Sequence, residues 1–397
     1  MNNYLIKDLM NVNRGSSPRP IIEYLSDSGY RWLKISDFNM YDRYVYETKE
    51  FIKESGLKNT RHLPAGTLIL TNSATPGIPI FLGKDMCLHD GFLYFTNVKE
   101  DIININFLYY WFLYNKNLIV NQANGSVFKN LKKEIVENFE ISVPDMKTQL
   151  KIVNILDNIN SKLELNNEIN NNLLQLCKYK YDELNKNYDN WKSVKINELN
   201  LEVTDYVANG SFKSLADNVT LYDEKEYALY VRNTDLKVNF TDKRKYVDQK
   251  SYEFLKKSKL KGGELIISNV GDVGSVFICP HLNVPMTLGS NVIMLYETDN
   301  HYYNYFLYFF FTSVYGQYMI EGITGGSAQP KFNKTDFRNM EINIPELDEL
   351  DRFNEEIDPI YKKYELNIKE NEKLSELRDT LLPKLMNGEI DLDNIEI

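Results

Sequence analysis

Two long stretches of the sequence carry an apolar stripe with helical spacing. Residues 148–188 and 348–387 contain no glycine, and apolar side chains recur along both at heptad spacing. The pattern predicts two helices of roughly 40 residues, each about 60 Å long. Pro359 and Pro383 fall inside the second stretch, where proline predicts either a kink or a helix boundary.

Each stripe is interrupted by a pair of asparagines at the same place. Buried asparagines in a coiled-coil seam fix its register and partner at some cost in stability. The alternative is a stutter, in which Leu165 and Ile169 take over the buried face of the first helix. The predicted seam residues are Leu156, Leu163, Asn166, Asn170 and Leu173 in the first helix, and Ile357, Tyr364, Asn367, Asn371 and Leu374 in the second.

The rest of the chain has short apolar runs separated by glycine and proline. The runs Thr67–Thr71 and Glu264–Ser268 have the composition of β-strands. The aromatic run 302–311 predicts a buried helix or strand, and it is shorter than the roughly 20 apolar residues that cross a bilayer. Such mixed segments, alternating with long helices, predict an α+β protein.

The chain also repeats itself at an offset of about 200 residues. At an offset of 201, Gly125 aligns with Gly326 and Pro144 aligns with Pro345, with the dipeptide Glu-Ile repeated between them. A repeat of this kind indicates two copies of one structural unit. We therefore expect two globular mixed α/β domains separated by two long antiparallel coiled-coil helices, with approximate two-fold symmetry. The predicted segments are residues 1–147 (first domain), 148–191 (first helix), 192–345 (second domain) and 346–397 (second helix and acidic tail).

The net charge of −10 is concentrated near the C-terminus. Residues 346–397 hold 7 basic and 16 acidic side chains, whereas residues 1–147 hold 17 and 16, and residues 192–345 hold 17 and 18. The two predicted domains can therefore each carry a local basic face suited to a polyanion. Phosphate would repel the acidic tail, so we expect the tail to face a protein partner.

No familiar catalytic motif is present in the sequence. It contains no Walker A loop, no HExxH and no CxxC, and its four histidines have no neighbours at metal-ligand spacing. His89-Asp90-Gly91 becomes Gly289-Ser290-Asn291 in the second copy, so His89 is interpreted as a loop residue. Three widely spaced cysteines and the lack of a signal peptide predict a cytoplasmic protein with packed thiols. We expect no catalysis, no metal site and no membrane association.

Polar and basic side chains cluster in loops at matching places in both copies. Phosphate contacts use Lys, Arg and hydroxyl groups, whereas base contacts use Arg, Lys, Asn or Gln on loops that reach a groove. The candidate DNA contacts in the first copy are Arg14, Ser16, Ser17, Arg19, Lys34, Asn72, Ser73, Thr75, Ser126 and Lys129. Those in the second copy are Lys213, Arg232, Lys243, Arg244, Lys245, Asn269, Asp272, Ser327, Gln329, Lys331, Asn333 and Lys334.

These features resemble the specificity (S) subunits of Type I restriction–modification systems. The resemblance is carried by the Gly-Ser-Ala-Gln-Pro-Lys-Phe run at 326–332 with Ile342–Pro345, by the equivalent segment 125–144, and by 381–389. It covers nearly the whole chain. It implies two target-recognition domains, each reading half of a split double-stranded DNA site, with a spacer set by the paired helices.

The resemblance also implies partners and cofactors. Two modification subunits would bind S-adenosylmethionine and methylate adenine, and restriction subunits would use ATP and Mg to translocate and cleave. No cofactor is expected on this chain. An alternative reading is a non-DNA scaffold, in which two modules on a coiled-coil spacer join protein partners; a self-sufficient enzyme is a third reading. The scaffold predicts binding that is insensitive to salt, whereas phosphate contacts weaken as salt rises.

Overall fold

The computed structural model of the chain describes residues 2–38, 43–122, 130–238, 240, 243–297, 303–326 and 328–392. The chain divides into two compact units. The first unit contains the residues up to Lys162 together with those from Leu374 onwards, and the second contains Leu163–Lys373. Each unit therefore includes a part of both long helices. No helix in the described ranges is long and apolar enough to cross a membrane.

The first unit contains two mixed sheets and a small antiparallel ribbon. Its strands are β1 (Asn2–Leu5), β2 (Asn11–Arg14), β3 (Leu25–Ser26), β4 (Tyr30–Leu33), β5 (Tyr44–Val45), β6 (Phe51–Ile52), β7 (Arg61–Leu63), β8 (Leu68–Thr71), β9 (Pro79–Leu82), β10 (Met86–Leu88), β11 (Phe92–Thr96) and β12 (Glu140–Val143). Its short helices are α1 (Ile6–Leu9), α2 (Ile105–Tyr114), α3 (Lys116–Gln122) and α4 (Lys133–Glu137). The strand orders are β2-β11-β8-β9-β5 and β3-β6-β4-β10-β7, and β1 pairs with β12.

The helix α5 (Met146–Leu184) belongs to the first unit up to Lys162 and to the second unit from Leu163 onwards, and the second unit repeats the same plan. Its strands are β13 (Lys192–Lys195), β14 (Leu201–Asp205), β15 (Leu221–Tyr222), β16 (Ala228–Val231), β17 (Lys245–Val247), β18 (Lys259–Leu260), β19 (Leu265–Ser268), β20 (Val276–Ile278), β21 (Met286–Leu288), β22 (Val292–Glu297) and β23 (Glu341–Ile344). Its helices are α6 (Phe212–Asn218), α7 (Asn233–Lys237), α8 (Gln249–Phe254), α9 (Asn304–Thr312), α10 (Val314–Gly322), α11 (Lys334–Arg338) and the long α12 (Leu347–Met386). The strand orders are β14-β22-β19-β20 and β15-β17-β16-β21-β18, and β13 pairs with β23.

The sheet topology confirms the internal duplication. The order β3-β6-β4-β10-β7 in the first unit matches β15-β17-β16-β21-β18 in the second, strand for strand. The directions match too, because β4 and β10 are parallel neighbours, as are β16 and β21. Both copies therefore build the same α+β fold, as the repeat predicted.

The two apolar runs chosen from the sequence form strands in equivalent positions. All four residues of β8 and all four residues of β19 are buried. Each strand lies between two others of its sheet, β8 between β11 and β9, and β19 between β22 and β20. A strand covered on both faces needs apolar side chains on both, which explains the continuous rather than alternating run.

The two long helices pair antiparallel, and the asparagines meet in their seam. Within the second unit, Asn166 Nδ2 donates to Asn371 Oδ1 at 2.9 Å, and Asn367 Nδ2 donates to Asn170 Oδ1 at 2.8 Å. The stutter is excluded, because Leu165 is 54% exposed while Asn166 is 1% exposed. The remaining predicted seam residues, Leu156, Leu163, Leu173, Ile357, Tyr364 and Leu374, are buried or half-buried.

The prolines of α12 do not bound the helix. Pro359 and Pro383 both lie inside the single helix α12. A proline removes one backbone donor, and a long helix packed along its length can tolerate that loss. Of the two predicted alternatives, a kink or a helix boundary, the boundary is wrong for both prolines.

Aromatic helices fill the core of each unit. Phe107 and Tyr110 of α2 are fully buried in the first unit, as are Phe306 and Phe310 of α9 in the second. From Asn304 onwards, the aromatic run 302–311 thus belongs to a buried helix, as expected, and residue 302 lies outside the described residues. The first core also includes Leu385, Met386 and Leu392 from the end of the chain.

A buried ion pair joins the mixed part of the first unit to α5. The guanidinium of Arg43 lies 2.6 Å from Asp157 of α5 and packs over the ring of Tyr109. The Asp157 carboxylate also accepts a hydrogen bond from Tyr110 Oη at 2.6 Å. Both terminal nitrogens of Arg43 are hydrogen-bonded, to Asp157 and Asn106, so the buried guanidinium holds the loop before β5 against α5.

Candidate nucleic-acid interface

Three loops of the first unit meet at one edge of its sheet. The strand register pairs Leu93 with Arg14, the last residue of β2, and Phe92 with Thr71, the last residue of β8. The loops that follow β2 and β8, and the loop that precedes β11, therefore emerge side by side. The first two are loops that the sequence predicted to contact DNA.

Asp90, in the loop before β11, organises this edge. One carboxylate oxygen, Oδ2, lies 3.7 Å from a guanidinium nitrogen of Arg19 and 4.0 Å from one of Arg14. The other, Oδ1, accepts a hydrogen bond from Ser17 Oγ at 3.0 Å. The main-chain oxygen of Asp90 accepts from Arg14 Nε at 2.9 Å. We define the Asp90 cluster as Arg14, Ser17, Arg19, His89 and Asp90.

His89 is held in one tautomer by its neighbours. The backbone N–H of Gly91 donates to His89 Nδ1 at 2.9 Å, so this nitrogen must be the acceptor. In the neutral ring the proton then lies on Nε2, which is 3.0 Å from Asp90 Oδ1. Burial lowers the pKa of His89, and although Asp90 raises it, nearby cations including Lys34 lower it further. The ring is thus neutral at physiological pH, with Nε2 beside the Asp90 carboxylate.

An open cleft of about 620 Å³ borders the Asp90 cluster. Trp32 lines it and is 4% exposed, with its ring centroid 5.5 Å from that of His89. The indole N–H of Trp32 has no hydrogen-bond partner within the described part of the chain. The cleft therefore combines an aromatic wall with a charged rim.

The other predicted DNA contacts of the first unit differ in their burial and in their partners. Asn72 is buried, and its side-chain amide donates to the Asp90 carbonyl at 3.2 Å, while its backbone carbonyl accepts from the Leu131 N–H at 2.7 Å. Lys34 pairs with Glu50 at 2.5 Å. Ser16 donates to the carbonyl of Asn59 at 2.9 Å. The remaining candidates are Ser73, which is half-buried, Thr75, which is exposed, and Ser126 and Lys129, which lie outside the described residues.

The second unit presents the equivalent edge with different chemistry. Its register pairs Asp205 at the end of β14 with Ile293, and Ser268 at the end of β19 with Val292. The organising carboxylate is here Asp272, in the loop after β19. It accepts hydrogen bonds from Ser275 at 2.6 Å and Asn233 at 2.9 Å, and it pairs with Lys237 at 2.6 Å. The hydrogen bond from Lys237, followed by those from Ser275 and Asn233, lowers the pKa of Asp272 to about 2.

Two predicted loops of the second unit are joined by backbone pairing. The N–H of Phe332 donates to the carbonyl of Asn269 at 3.1 Å, and the N–H of Gly271 donates to that of Pro330 at 2.8 Å. The Asn269 side chain adds a bond to the Phe332 carbonyl at 3.3 Å. The structure thus brings together Asn269, Asp272 and Lys331, which the sequence placed in separate loops.

The positions of the last candidates in this segment differ. Gln329 and Lys331 are exposed, whereas Asn333 caps α11 by accepting from the Asp336 N–H at 2.8 Å. Lys334 pairs with Asp205 at 2.7 Å. Ser327 lies outside the described residues.

Several basic candidates of the second unit are engaged by acids of the same chain. Arg232 makes a bidentate pair with Asp235 at 2.7 and 2.9 Å. Lys245 pairs with Asp223 at 2.5 Å. Arg244 pairs with Glu372 of α12 at 2.8 Å, so its charge is directed at the helix. Lys213 and Lys243 are exposed.

The sequence did not single out Asp90, His89, Asn233 or Lys237 as parts of the interface. The polarity of His89-Asp90-Gly91 was visible, but nothing local in the sequence links it to Arg14. Asn233 and Lys237 sit on a one-turn helix, and only the fold brings them to Asp272.

The side chains of the described residues offer no grouping of three or more His, Cys, Asp and Glu that could hold a metal ion. The three cysteines are buried thiols, and burial raises the pKa of Cys87 to about 12 and that of Cys177 to about 11. A thiol with so high a pKa stays protonated and is a poor nucleophile.

The sequence profile of one protein family matches most of the chain. That family is the Type I restriction modification DNA specificity domain, and the match covers residues 1–175 and 188–377, once in each copy. The chain belongs to this family. Its member domains recognise DNA targets, which confirms the predicted function, and the non-DNA scaffold is not favoured.

Relatives and a solved structure agree with this assignment. The specificity subunit of the Type I restriction enzyme MjaIX from Methanocaldococcus jannaschii is 24% identical, over 98% of this chain and 93% of the relative. That of HindI from Haemophilus influenzae is 36% identical over 74 residues, which is 19% of this chain and 16% of the relative. The crystal structure of an S subunit from M. genitalium shares the fold, with a TM-score of 0.56 at 14% identity over 97% of this chain and 95% of that one.

Proposed function

We propose that this specificity subunit reads a two-part double-stranded DNA target without performing chemistry itself. Each unit would read one half of the target with the loops at the edge of its sheet. The observation that supports this best is the duplicated topology, because both copies turn the same strand ends into polar loop clusters. Two similar readers in one chain suit a target with two separated parts.

The two halves of the target would differ in sequence. The Asp90 cluster offers two arginines, whereas the corresponding edge of the second unit offers Asp272, Asn233 and Lys237. Arginine binds guanine with two parallel donors, whereas lysine acts as a single point charge. An asymmetric motif follows from this difference.

Exposed basic and amide side chains around both edges would contact phosphate and bases. The predicted basic and amide candidates with exposed side chains are Arg14, Arg19, Lys213, Lys243, Gln329, Lys331 and Asn333. Candidates already bound to acids of this chain, such as Arg232 and Arg244, would act by holding loops in place instead.

Methylation would come from partners and not from this chain. We propose that two modification subunits carrying S-adenosylmethionine, together with restriction subunits using ATP and Mg, assemble on it in the cytoplasm. The long helices would set the spacing between the two half-sites, since a paired helical rod has a fixed length.

The test is a map of adenine methylation in a host that has the modification subunits, with and without this chain. We expect methylation at one asymmetric, two-part motif, which disappears when the chain is deleted and returns on complementation. A methylation map that does not change on deletion contradicts the proposal. As a second readout, affinity of the assembled complex for its motif should fall on the order of 10³-fold between 50 and 200 mM salt.

A further inference from the structure

We propose that Asp90 and His89 orient the guanidinium groups of Arg14 and Arg19 to read guanine in one half of the target. This inference rests on the proposed function, and it specifies the base that the first unit reads and the residues that read it. Asp90 and His89 act here as positioning residues, and the two arginines make the contacts.

The two oxygens of the Asp90 carboxylate contact different groups. Oδ1 accepts a hydrogen bond from Ser17 Oγ at 3.0 Å, and His89 Nε2 lies 3.0 Å from the same oxygen. Oδ2 faces both guanidinium groups, at 3.7 Å from Arg19 and 4.0 Å from Arg14. The hydroxyl of Ser17 and the ring of His89 thus hold one oxygen of the carboxylate, and the other oxygen lies beside the arginines.

The contacts to Arg14 leave one edge of its guanidinium available. Nε donates to the Asp90 carbonyl at 2.9 Å, and one terminal nitrogen lies near Oδ2. This places the edge formed by Nε and one terminal nitrogen against Asp90, and it leaves the opposite edge, with one N–H bond from each terminal nitrogen, directed away from Asp90. Two parallel donors on that edge match the O6 and N7 acceptors of guanine.

The charge of the cluster suits DNA in spite of its carboxylate. Two guanidinium groups surround one carboxylate, and His89 adds no charge because it is neutral. The local net charge is therefore positive. The arginine side chains are also accessible, at 51% exposed for Arg14 and 81% for Arg19.

The second unit has no counterpart of this arrangement. The aligned loop reads Gly289-Ser290-Asn291, which lacks both the histidine and the carboxylate. The Ser290 N–H donates there to Tyr230 Oη at 2.9 Å instead. A change in the Asp90 cluster should therefore alter one half of the motif and leave the other half intact.

The experiment maps the methylation motif in cells carrying Asp90→Asn, His89→Leu or His89→Gln in the otherwise complete system. Asp90→Asn and His89→Leu should relax one half-site where wild type requires guanine, lowering discrimination there on the order of tenfold to 100-fold. His89→Gln should keep the wild-type motif, because its amide can still donate near the Nε2 position. Asp272→Asn should change only the other half, and Glu47→Gln, on a surface ion pair elsewhere in the unit, should change neither.

The outcomes separate the inference from the proposed function. If wild type yields no two-part motif, the proposed function fails. If wild type yields the motif but Asp90→Asn and His89→Leu retain it, or relax both halves equally, only this inference is overturned. A wild-type motif without guanine in either half overturns it too. Thermal unfolding of the purified variants checks folding, and the contrast between His89→Leu and His89→Gln decides the case if Asp90→Asn does not fold.

Discussion

At the scale of single residues, two histidines show how the same side chain acquires opposite properties. His89 is half-buried, and burial lowers its pKa; Asp90 raises the pKa, whereas the nearby cations, Lys34 first, lower it further. His281 lies 3.0 Å from Glu365 of α12, and this hydrogen bond raises its pKa, although burial opposes it. The two residues should therefore titrate on opposite sides of the ordinary value near 6.5.

We expect an NMR titration of histidine-labelled protein to resolve these two shifts. His281 should titrate above about 6.5 and His89 below it. Glu365→Gln should bring the pKa of His281 down while leaving that of His89 unchanged, which makes His89 the internal control. A His281 pKa that does not respond to Glu365→Gln would contradict the assignment.

The sign of the stability change follows from these shifts. Because the folded state raises the pKa of His281, its contribution is present below the unfolded pKa and is lost as pH rises through the folded value. For His89 the folded pKa is lowered, so stability decreases as pH falls from the unfolded value towards the folded one. His281 is half exposed, so its contribution to the free energy of unfolding is small.

The contact partners of single polar side chains were the features least predictable from the sequence. Arg14 was chosen as a DNA contact because arginine in a polar loop suits that role. That its partner is Asp90, 76 residues away, depends on the pairing of β2 with β11. Oppositely charged partners in loops do not recur at a regular sequence spacing, so no local sequence pattern predicts which residues pair.

At the scale of elements, the asparagine pairs in the long helices are a prediction that the structure confirmed. Heptad spacing placed Asn170 and Asn367 in the seam, and they hydrogen-bond there with 6% and 1% of their surfaces exposed. Each amide satisfies the other, so the antiparallel register that aligns them is favoured over registers that would bury one alone.

We expect the substitution of one asparagine to cost more than the substitution of both. Asn367→Leu leaves Asn170 buried without its partner, and this should lower the free energy of unfolding by about 1–3 kcal/mol. The double variant Asn170→Leu/Asn367→Leu should recover most of that loss, because two apolar groups then face each other.

A double-mutant cycle by chemical denaturation measures this coupling. Leu165→Ala, an exposed position on α5, serves as a matched control and should change stability little. Equal stability of Asn367→Leu and wild type would mean that the seam is not held by the asparagine pair.

At the scale of the whole molecule, the end of the chain completes the first unit. Leu385, Met386 and Leu392 are at most 9% exposed and belong to the same core as Phe107. Tyr114 of α2 also donates to the side chain of Asn387 at 2.8 Å. The segment that the sequence suggested as a partner-docking tail is therefore, up to Leu392, a structural part of the first unit.

Truncation after Lys373 should consequently destabilise the first unit. Loss of each buried large apolar side chain removes about 2–5 kcal/mol, and small domains are stable by only about 5–15 kcal/mol in total. Hydrogen exchange read by mass spectrometry should show lost protection in β8 and α2, with β19 and α9 still protected.

Truncation after Leu392 is the control, since it removes five residues and leaves the core side chains in place. We expect the backbone amides of this truncated protein to exchange hydrogen at the same rates as those of the full chain. Unchanged protection of β8 after truncation at Lys373 would mean that the first unit does not depend on the C-terminal segment.

The duplication, the two long helices, their seam and the buried strands β8 and β19 could be predicted from the amino-acid sequence alone. These features are periodic or repeated, so they can be read from spacing within a short window. The resemblance to specificity subunits, carried by the repeated junctions, pointed to DNA recognition, and the family match over both copies agrees with it.

The polar residues that meet at the loop edge of each sheet could be identified from the tertiary structure alone. It grouped Arg14 with Asp90, tied Arg244 to Glu372, and placed the end of the chain in the core of the first unit. It also continued α12 past Pro359, where local propensity predicted a kink or a helix boundary. The physical reason is common to all four, because the energy of a charge pair, a buried side chain or a packed helix depends on neighbours distant in sequence.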